Sequence, residues 1–395
     1  PEARGEGNKP AAFHSALASP CNLDQFARNA SRLRRQVTQM DYASYLQLSR
    51  ILSAQAPESA RRGTPAHDEM LFIIIHQSYE LWFKQIIHEI GLIDGIFGED
   101  SVDEADLGRA VHAAERIVRI QRHLVAQIDI LETMTPMDFL EFRNMLVPAS
   151  GFQSEQFRII EARLGLSRAR RLSFDGHTFD TRLPEDARTR VKAEEEKRTV
   201  LAALDAWLSR TPFVEMGGFT FREAYGAALD AMLKGDIAMI AAHPQLSAQE
   251  KQVQTAALEK SRAILDALID DARYAAIRAQ GGFVMSRRAL QAALFIFLYR
   301  DEPALQLPFR LLHAFMDLDE QMALWRLRHA LMVSRMIGSK VGTGGSSGAQ
   351  YLRATADEHR VFNDLFALTT FLIPRSAMPK LPDDVRRAMR YRFEA

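Results

Sequence analysis

The sequence predicts an all-α protein built as a helical bundle, and three observations carry that prediction. Apolar residues recur at three- and four-residue spacing through most of the chain, the period of one buried helix face. The alternation of a half-buried strand is scarce. Several segments open with Ser, Thr or Asp, then proline and acidic residues, which is how helix starts are marked.

The periodicity predicts helices over about 41–54, 66–97, 103–131, 136–147, 152–164, 184–209, 219–235, 247–278, 286–300, 304–336, 351–372 and 383–392. Thr64-Pro65 offers an N-cap and a first-turn proline, followed by Asp68 and Glu69 near the positive end of the helix dipole. Thr135-Pro136 with Asp138 repeats the device. Ser150 with Gln153 forms a capping box behind Pro148, which closes the preceding helix. The stretch from about 184 to 280 is rich in Ala, Glu, Lys and Arg. It reads as an inserted helical hairpin within a single domain spanning 21–395. Residues 1–20 are small, polar and proline-bearing without a hydrophobic signal core, and read as a flexible tail. From Gly338 to Gly348, five glycines fall in eleven residues. Each costs a helix about 1 kcal/mol relative to alanine, so this is a loop between two helices.

Composition narrows the function classes. The 395 residues include 50 acidic and 50 basic side chains, so no excess charge favours nucleic acid or an anionic membrane surface. No apolar run approaches the roughly 20 residues that span a bilayer. Cys21 is the single cysteine, which excludes an intrachain disulfide and thiolate-rich metal sites and fits a cytoplasmic protein.

Four features invite chemistry. His76 shares a helix face with Phe72, Tyr79 and Phe83. His329 lies between Trp325 and Met332 on a helix rich in Met and Leu. A histidine on an apolar face is more often a satisfied core residue than a ligand, yet a neutral imidazole in apolar surroundings is also what a haem iron requires. No Glu-x-x-His pair and no His-Glu-x-x-His motif occurs, which argues against a metal held by protein groups alone. Arg143 is either a surface arginine near a helix C-terminus or a bidentate clamp for a carboxylate. The glycine run lacks the context of a phosphate loop. It is a connector, or a lid offering backbone amides and the Thr343 hydroxyl to a small ligand. Ser150 reads first as the cap already described.

In order along the chain, His67-Asp68-Glu69-Met70-Leu71-Phe72, His76-Gln77, Glu80-Leu81-Trp82-Phe83-Lys84, Leu131-Glu132-Thr133-Met134, Phe142-Arg143, Pro148-Ala149-Ser150-Gly151-Phe152-Gln153, Tyr299-Arg300-Asp301-Glu302-Pro303, Trp325-Arg326, His329, Gly338-Ser339-Lys340 and Leu372-Ile373-Pro374-Arg375 resemble the tryptophan 2,3-dioxygenase family. The resemblance covers about residues 41 to 382. It implies an oxidoreductase that binds haem b through His329 as proximal ligand to the iron. His76 would stand on the distal side, Phe72 would line the indole pocket, Arg143 would bind the substrate carboxylate and Thr343 the ammonium. Ser150, Tyr42 and Tyr45 match pocket positions, the tyrosines in part from a neighbouring subunit. It further implies L-tryptophan and O2 as substrates, N-formyl-L-kynurenine as product, a place in tryptophan catabolism by the kynurenine pathway, and a homotetramer. Two departures stand near the lid and the proximal side: Ala349-Gln350 before Tyr351, and Leu327-Arg328 before His329, where animal members carry Tyr-His and Tyr-Asn. They keep open a monooxygenase that converts tryptophan or its β-methyl derivative to a 2-oxindole, and a haem sensor without turnover.

Overall fold

Helices make up nearly all the regular structure among the residues described by this computed structural model, which are 40–99, 101–171, 183–338, 340 and 348–390. The chain forms two units, Pro1–Ala56 and Pro57–Ala395. The expected tail over 1–20 lies outside the described residues.

In the first unit, the expected helix over 41–54 divides into α1 (Tyr42–Leu46) and α2 (Leu48–Ile51). Asp41 and Ser44 close a capping box at the start of α1. Gln47 adopts a left-handed conformation, with φ 52°, and its side-chain amide donates to the Ser44 carbonyl at 2.6 Å. That local bond offsets the strain of a non-glycine residue at positive φ. Tyr42 and Tyr45 have exposed side chains on α1.

The second unit is framed by three long helices, α4 (Glu69–Gly98), α5 (Glu104–Leu131) and α14 (Pro303–Ile337). Helix α5 packs against both α4 and α14. Leu107, Ala110, Val111, Ala114, Ile117, Val118, Gln121, Leu124 and Ile128 keep three- and four-residue spacing, and Ala113, Ile120 and Gln127 are buried beside them, so one broad face serves both neighbours. Between the frame and the rest lies α13 (Arg287–Leu298), in which every residue from Ala289 to Leu298 is buried.

Shorter helices fill in around this frame: α3 (Glu58–Arg61), α6 (Pro136–Phe142), α7 (Glu155–Leu164), α8 (Glu185–Glu195), α9 (Val200–Leu208), α10 (Phe221–Ala242), α11 (Ala248–Leu265), α12 (Asp271–Ala279), α15 (Gly348–Glu358), α16 (Asn363–Ala367) and α17 (Asp383–Ala388). The expected hairpin stretch holds α8 to α12. Helix α9 packs against α4 and α13, whereas α10 and α11 pair with each other. Helix α10 buries Phe221, Tyr225 and Leu229 at its start, and α11 buries none of its residues. A two-stranded antiparallel ladder, β1 (Glu215–Met216) with β2 (Phe219–Thr220), precedes α10. Its turn needs glycine at Gly217 (φ 59°) and Gly218 (φ 82°), as such hairpins do.

Three expectations are corrected by tertiary contacts. Thr64-Pro65 does not cap a helix. Helix α4 begins at Glu69, whose carboxylate turns back to accept from the Glu58 and Ser59 amides at 2.7 and 2.9 Å, while the Ser59 hydroxyl accepts from the Ala66 amide at 2.9 Å. The expected helix over 351–372 is interrupted at 359–362 because buried Asp319 on α14 accepts from the Val361 amide at 2.8 Å and the Phe362 amide at 3.3 Å. The expected 152–164 helix splits at Ser154, whose side chain caps α7.

Candidate active site

Helices α4, α6, α7, α14 and α15 enclose a cavity of about 260 Å³. Its wall is supplied by the helical register of α4, where Phe72, His76, Tyr79, Glu80 and Phe83 line it. Opposite them stand Trp325, His329, Met332 and Met336 of α14.

The aromatic end is built locally. The Phe72 and His76 rings are 4.1 Å apart. Phe72 also meets Phe139 at 5.7 Å and Phe142 at 5.6 Å, and the latter two are nearly perpendicular at 5.4 Å. Phe139 and Phe142 belong to α6, which starts on the Thr135–Asp138 capping box that the sequence predicts. Arg143 opens the 3-10 turn that follows and is 9% exposed. It is therefore not a surface arginine. Ser150 has both roles that its position allows. It caps the turn Gly151–Gln153 in a capping box with Gln153, and it lines the cavity.

The two histidines are held neutral in different ways. His76 Nδ1 lies 2.7 Å from the Phe72 carbonyl oxygen. A carbonyl only accepts, so Nδ1 carries the proton and Nε2 keeps its lone pair. The His76 ring is exposed to the cavity, yet the protein packed around it lowers its pKa by desolvation, opposed by the Phe72 carbonyl and by the charge of Glu80. Burial pushes His329 down to about 4, helped by its proximity to His76. Its Nδ1 is buried without a hydrogen-bond partner.

At the other end the cavity turns ionic. Glu161, 1% exposed, accepts from Arg158 at 2.9 Å and from Arg326 at 2.7 Å. His359 Nδ1 stands 3.7 Å from the same carboxylate. Burial alone would raise the pKa of Glu161, but Arg158, His359 and Arg326 together hold it well below the ordinary carboxylate range. Burial opposes the charge of Arg158, and Glu161 more than offsets it.

The chain matches the tryptophan 2,3-dioxygenase family over residues 27–372. The chain belongs to that family. It is 45% identical over 352 residues to a tryptophan 2,3-dioxygenase of Bdellovibrio bacteriovorus, covering 89% of this chain and 98% of the relative. It is 44% identical over 349 residues to one from Dictyostelium discoideum, covering 88% and 87%. It is 42% identical over 348 residues to one from Xenopus tropicalis, covering 88% and 85%.

In this member of the tryptophan 2,3-dioxygenase family, Phe72, His76, Arg143, Ser150 and His329 meet around one cavity. Thr343 lies outside the described residues, and Tyr42 and Tyr45 belong to the first unit. Sequence reasoning missed the ionic end. Glu161, Arg326 and His359 come from three elements far apart in the chain, with no common motif. The period that exposed His76 also placed Tyr79 and Phe83 on its face, and Trp325 one turn back from His329, and all three line the cavity. Among the described residues no helix is long and apolar enough to cross a membrane, and no cluster of protein groups forms a metal site.

Proposed function

We propose that the chain is a haem-dependent oxygenase that adds both atoms of dioxygen across the indole C2=C3 bond of L-tryptophan, opening the ring to N-formyl-L-kynurenine. One observation carries the reading: an aromatic slot, a buried guanidinium and two neutral imidazoles line the same cavity.

The residues present suit haem. His329 offers an imidazole kept neutral by burial, with Nδ1 unused, in a wall of Trp325, Met332 and Met336. Arg158 and Tyr351 at the ionic end suit the two carboxylates of the porphyrin. When bound, haem supplies the activation of dioxygen, which protein side chains cannot perform.

The chain's own groups do the rest. Phe72, Phe139 and Phe142 hold the indole by edge and face contacts, each worth about 0.5–1.5 kcal/mol beyond area. Arg143 clamps the substrate carboxylate through its planar fork. His76 Nε2 accepts from the indole N–H and so fixes which face of the ring is presented. Its lowered pKa makes it a weak base, and the indole N–H is a poor acid, so its work is positioning. The Thr343 loop receives the ammonium.

The reading extends to a homotetramer in the cytoplasm. Met70, Ile74 and Leu81 on α4 and Leu324, Leu327 and Leu331 on α14 are exposed apolar side chains, the kind that subunit contacts cover. The deciding experiment is a single turnover with isotopically labelled dioxygen and L-tryptophan. A product carrying two labelled atoms is expected; one labelled atom would replace this reading with the oxindole-forming monooxygenase.

A further inference from the structure

A second cavity, of about 20 Å³, lies behind Trp325, between α4, α5, α7 and α14. Most of its wall is apolar, including Phe157, Ile160 and Met322, but Gln121, Gln321 and Trp325 also line it. Gln121 interrupts the apolar stripe of α5 and is 6% exposed, and its Oε1 is buried with no hydrogen-bond partner. Across from it, Trp325 Nε1 is buried with no acceptor in hydrogen-bonding geometry. Burial pushes the Tyr79 hydroxyl up to about 12, and the approach of the Trp325 N–H pulls it back; that hydroxyl donates its proton to the Leu124 carbonyl at 2.6 Å and offers Trp325 only a lone pair that is poorly aligned with the indole N–H.

These two orphans are opposite in sense, one an acceptor and one a donor. Buried polar groups are nearly always satisfied. A cavity holds a water when it offers roughly 10–15 Å³ or more and two to four polar partners, and this one meets both conditions. A dry cavity of this size would be lined by apolar groups alone.

We propose that one ordered water occupies this cavity, donating to Gln121 Oε1 and accepting from the Trp325 indole N–H. Its second proton goes to the side-chain carbonyl of Gln321. The bound water fixes the rotation of the Trp325 ring, which is otherwise held by ring contacts with Phe157 at 5.1 Å and Tyr79 at 6.1 Å and by the approach of its N–H to the Tyr79 hydroxyl. The His329 ring rests on Trp325 at 5.0 Å, so Gln121 is a positioning residue that acts through the water and Trp325. Only this last consequence draws on the reading of His329 as the haem ligand.

The test uses the full chain and needs neither turnover nor bound haem, so it fails or succeeds apart from the oxygenase reading. A crystal structure that orders internal waters is expected to show one density peak within hydrogen-bond reach of Gln121 Oε1 and Trp325 Nε1. Gln121→Leu removes the acceptor with little change in shape. It is expected to shift the N–H marker band of Trp325 in ultraviolet resonance Raman spectra toward its non-bonded position, with Trp325→Phe identifying the band. It is also expected to lower the melting temperature, because the indole donor is stranded. Gln121→Met provides the same test if the leucine variant does not fold. A cavity without density, or a Gln121 variant that melts higher with the Trp325 band unmoved, overturns the proposal.

Discussion

The two ends of the main cavity solve burial in opposite ways. Around Phe72, Phe139 and Phe142 the wall is aromatic, and among the described residues the cation there is Arg143. Around Glu161 charge is gathered, with Arg158 and Arg326 bonded to one carboxylate that is 1% exposed. The aromatic end offers places for a ligand's atoms. The ionic end ties α7 and α14 to the chain at His359, since Arg326 also donates to the His359 carbonyl at 3.3 Å. The lesson is that burial near a site does not by itself mark chemistry. What separates the ends is whether a polar group has satisfied its partners within the protein, as Glu161 has, or stands exposed on the cavity wall, as His76 does.

The largest effect is expected where the partners are protein. Glu161→Ala leaves two buried guanidiniums without their counter-charge, a change that costs about 3–5 kcal/mol. Urea unfolding followed by far-ultraviolet circular dichroism measures it. Glu161→Gln keeps the volume and part of the hydrogen bonding and should lose less. A loss below 1 kcal/mol in the alanine variant would erase the distinction between the two ends.

At the aromatic end the same deletion should spare the fold and cost the ligand. Arg143→Ala is expected to weaken L-tryptophan binding by roughly 2–4 kcal/mol, about 30- to 700-fold in Kd, read by optical titration of the ferric protein. Arg143→Lys should recover little, because a lysine cannot present two parallel donors. Unchanged saturation in either variant refutes the clamp.

What was legible in the sequence was local or periodic. The stripe of Phe72, His76, Tyr79 and Phe83 follows from 3.6 residues per turn. The Thr135–Asp138 and Ser150–Gln153 boxes close within three residues of themselves, so they can be read directly. The break at 359–362 depends on Asp319, and the start of α4 depends on amides of Glu58 and Ser59. Neither partner is adjacent in the chain, so helix signals there misled. The ionic cluster brings His359 to Glu161, 198 positions away in the chain, and neither spacing nor composition encodes that meeting. Family resemblance assigned roles to Phe72, His76, Arg143, Ser150 and His329 and none to Arg158, Glu161 or His359, although all of them line the same cavity.

The smallest effect, and the finest test of the contrast, is a pH dependence. His359 sits at the ionic end beside Glu161, which favours the imidazolium, yet burial wins and its pKa is lowered from 6.5. A histidine depressed in the folded state stays neutral there while the unfolded chain takes up a proton. Between pH 6.5 and the lower folded value the unfolded state thus binds more protons, and stability falls as pH falls. One such group gives a slope of at most about 1.4 kcal/mol per pH unit. Glu161 acts further down, since its depressed pKa withdraws stability only once the pH drops below its unfolded value of 4.5. His359→Asn should therefore flatten the stability profile just below pH 6.5 and leave the steeper acid limb intact, as followed by urea midpoints from neutral pH downward. If the parent instead gains stability on acidification through that window, Glu161 has charged the imidazole. The ionic end would then be a buried triad carrying one positive charge more than its geometry assigns.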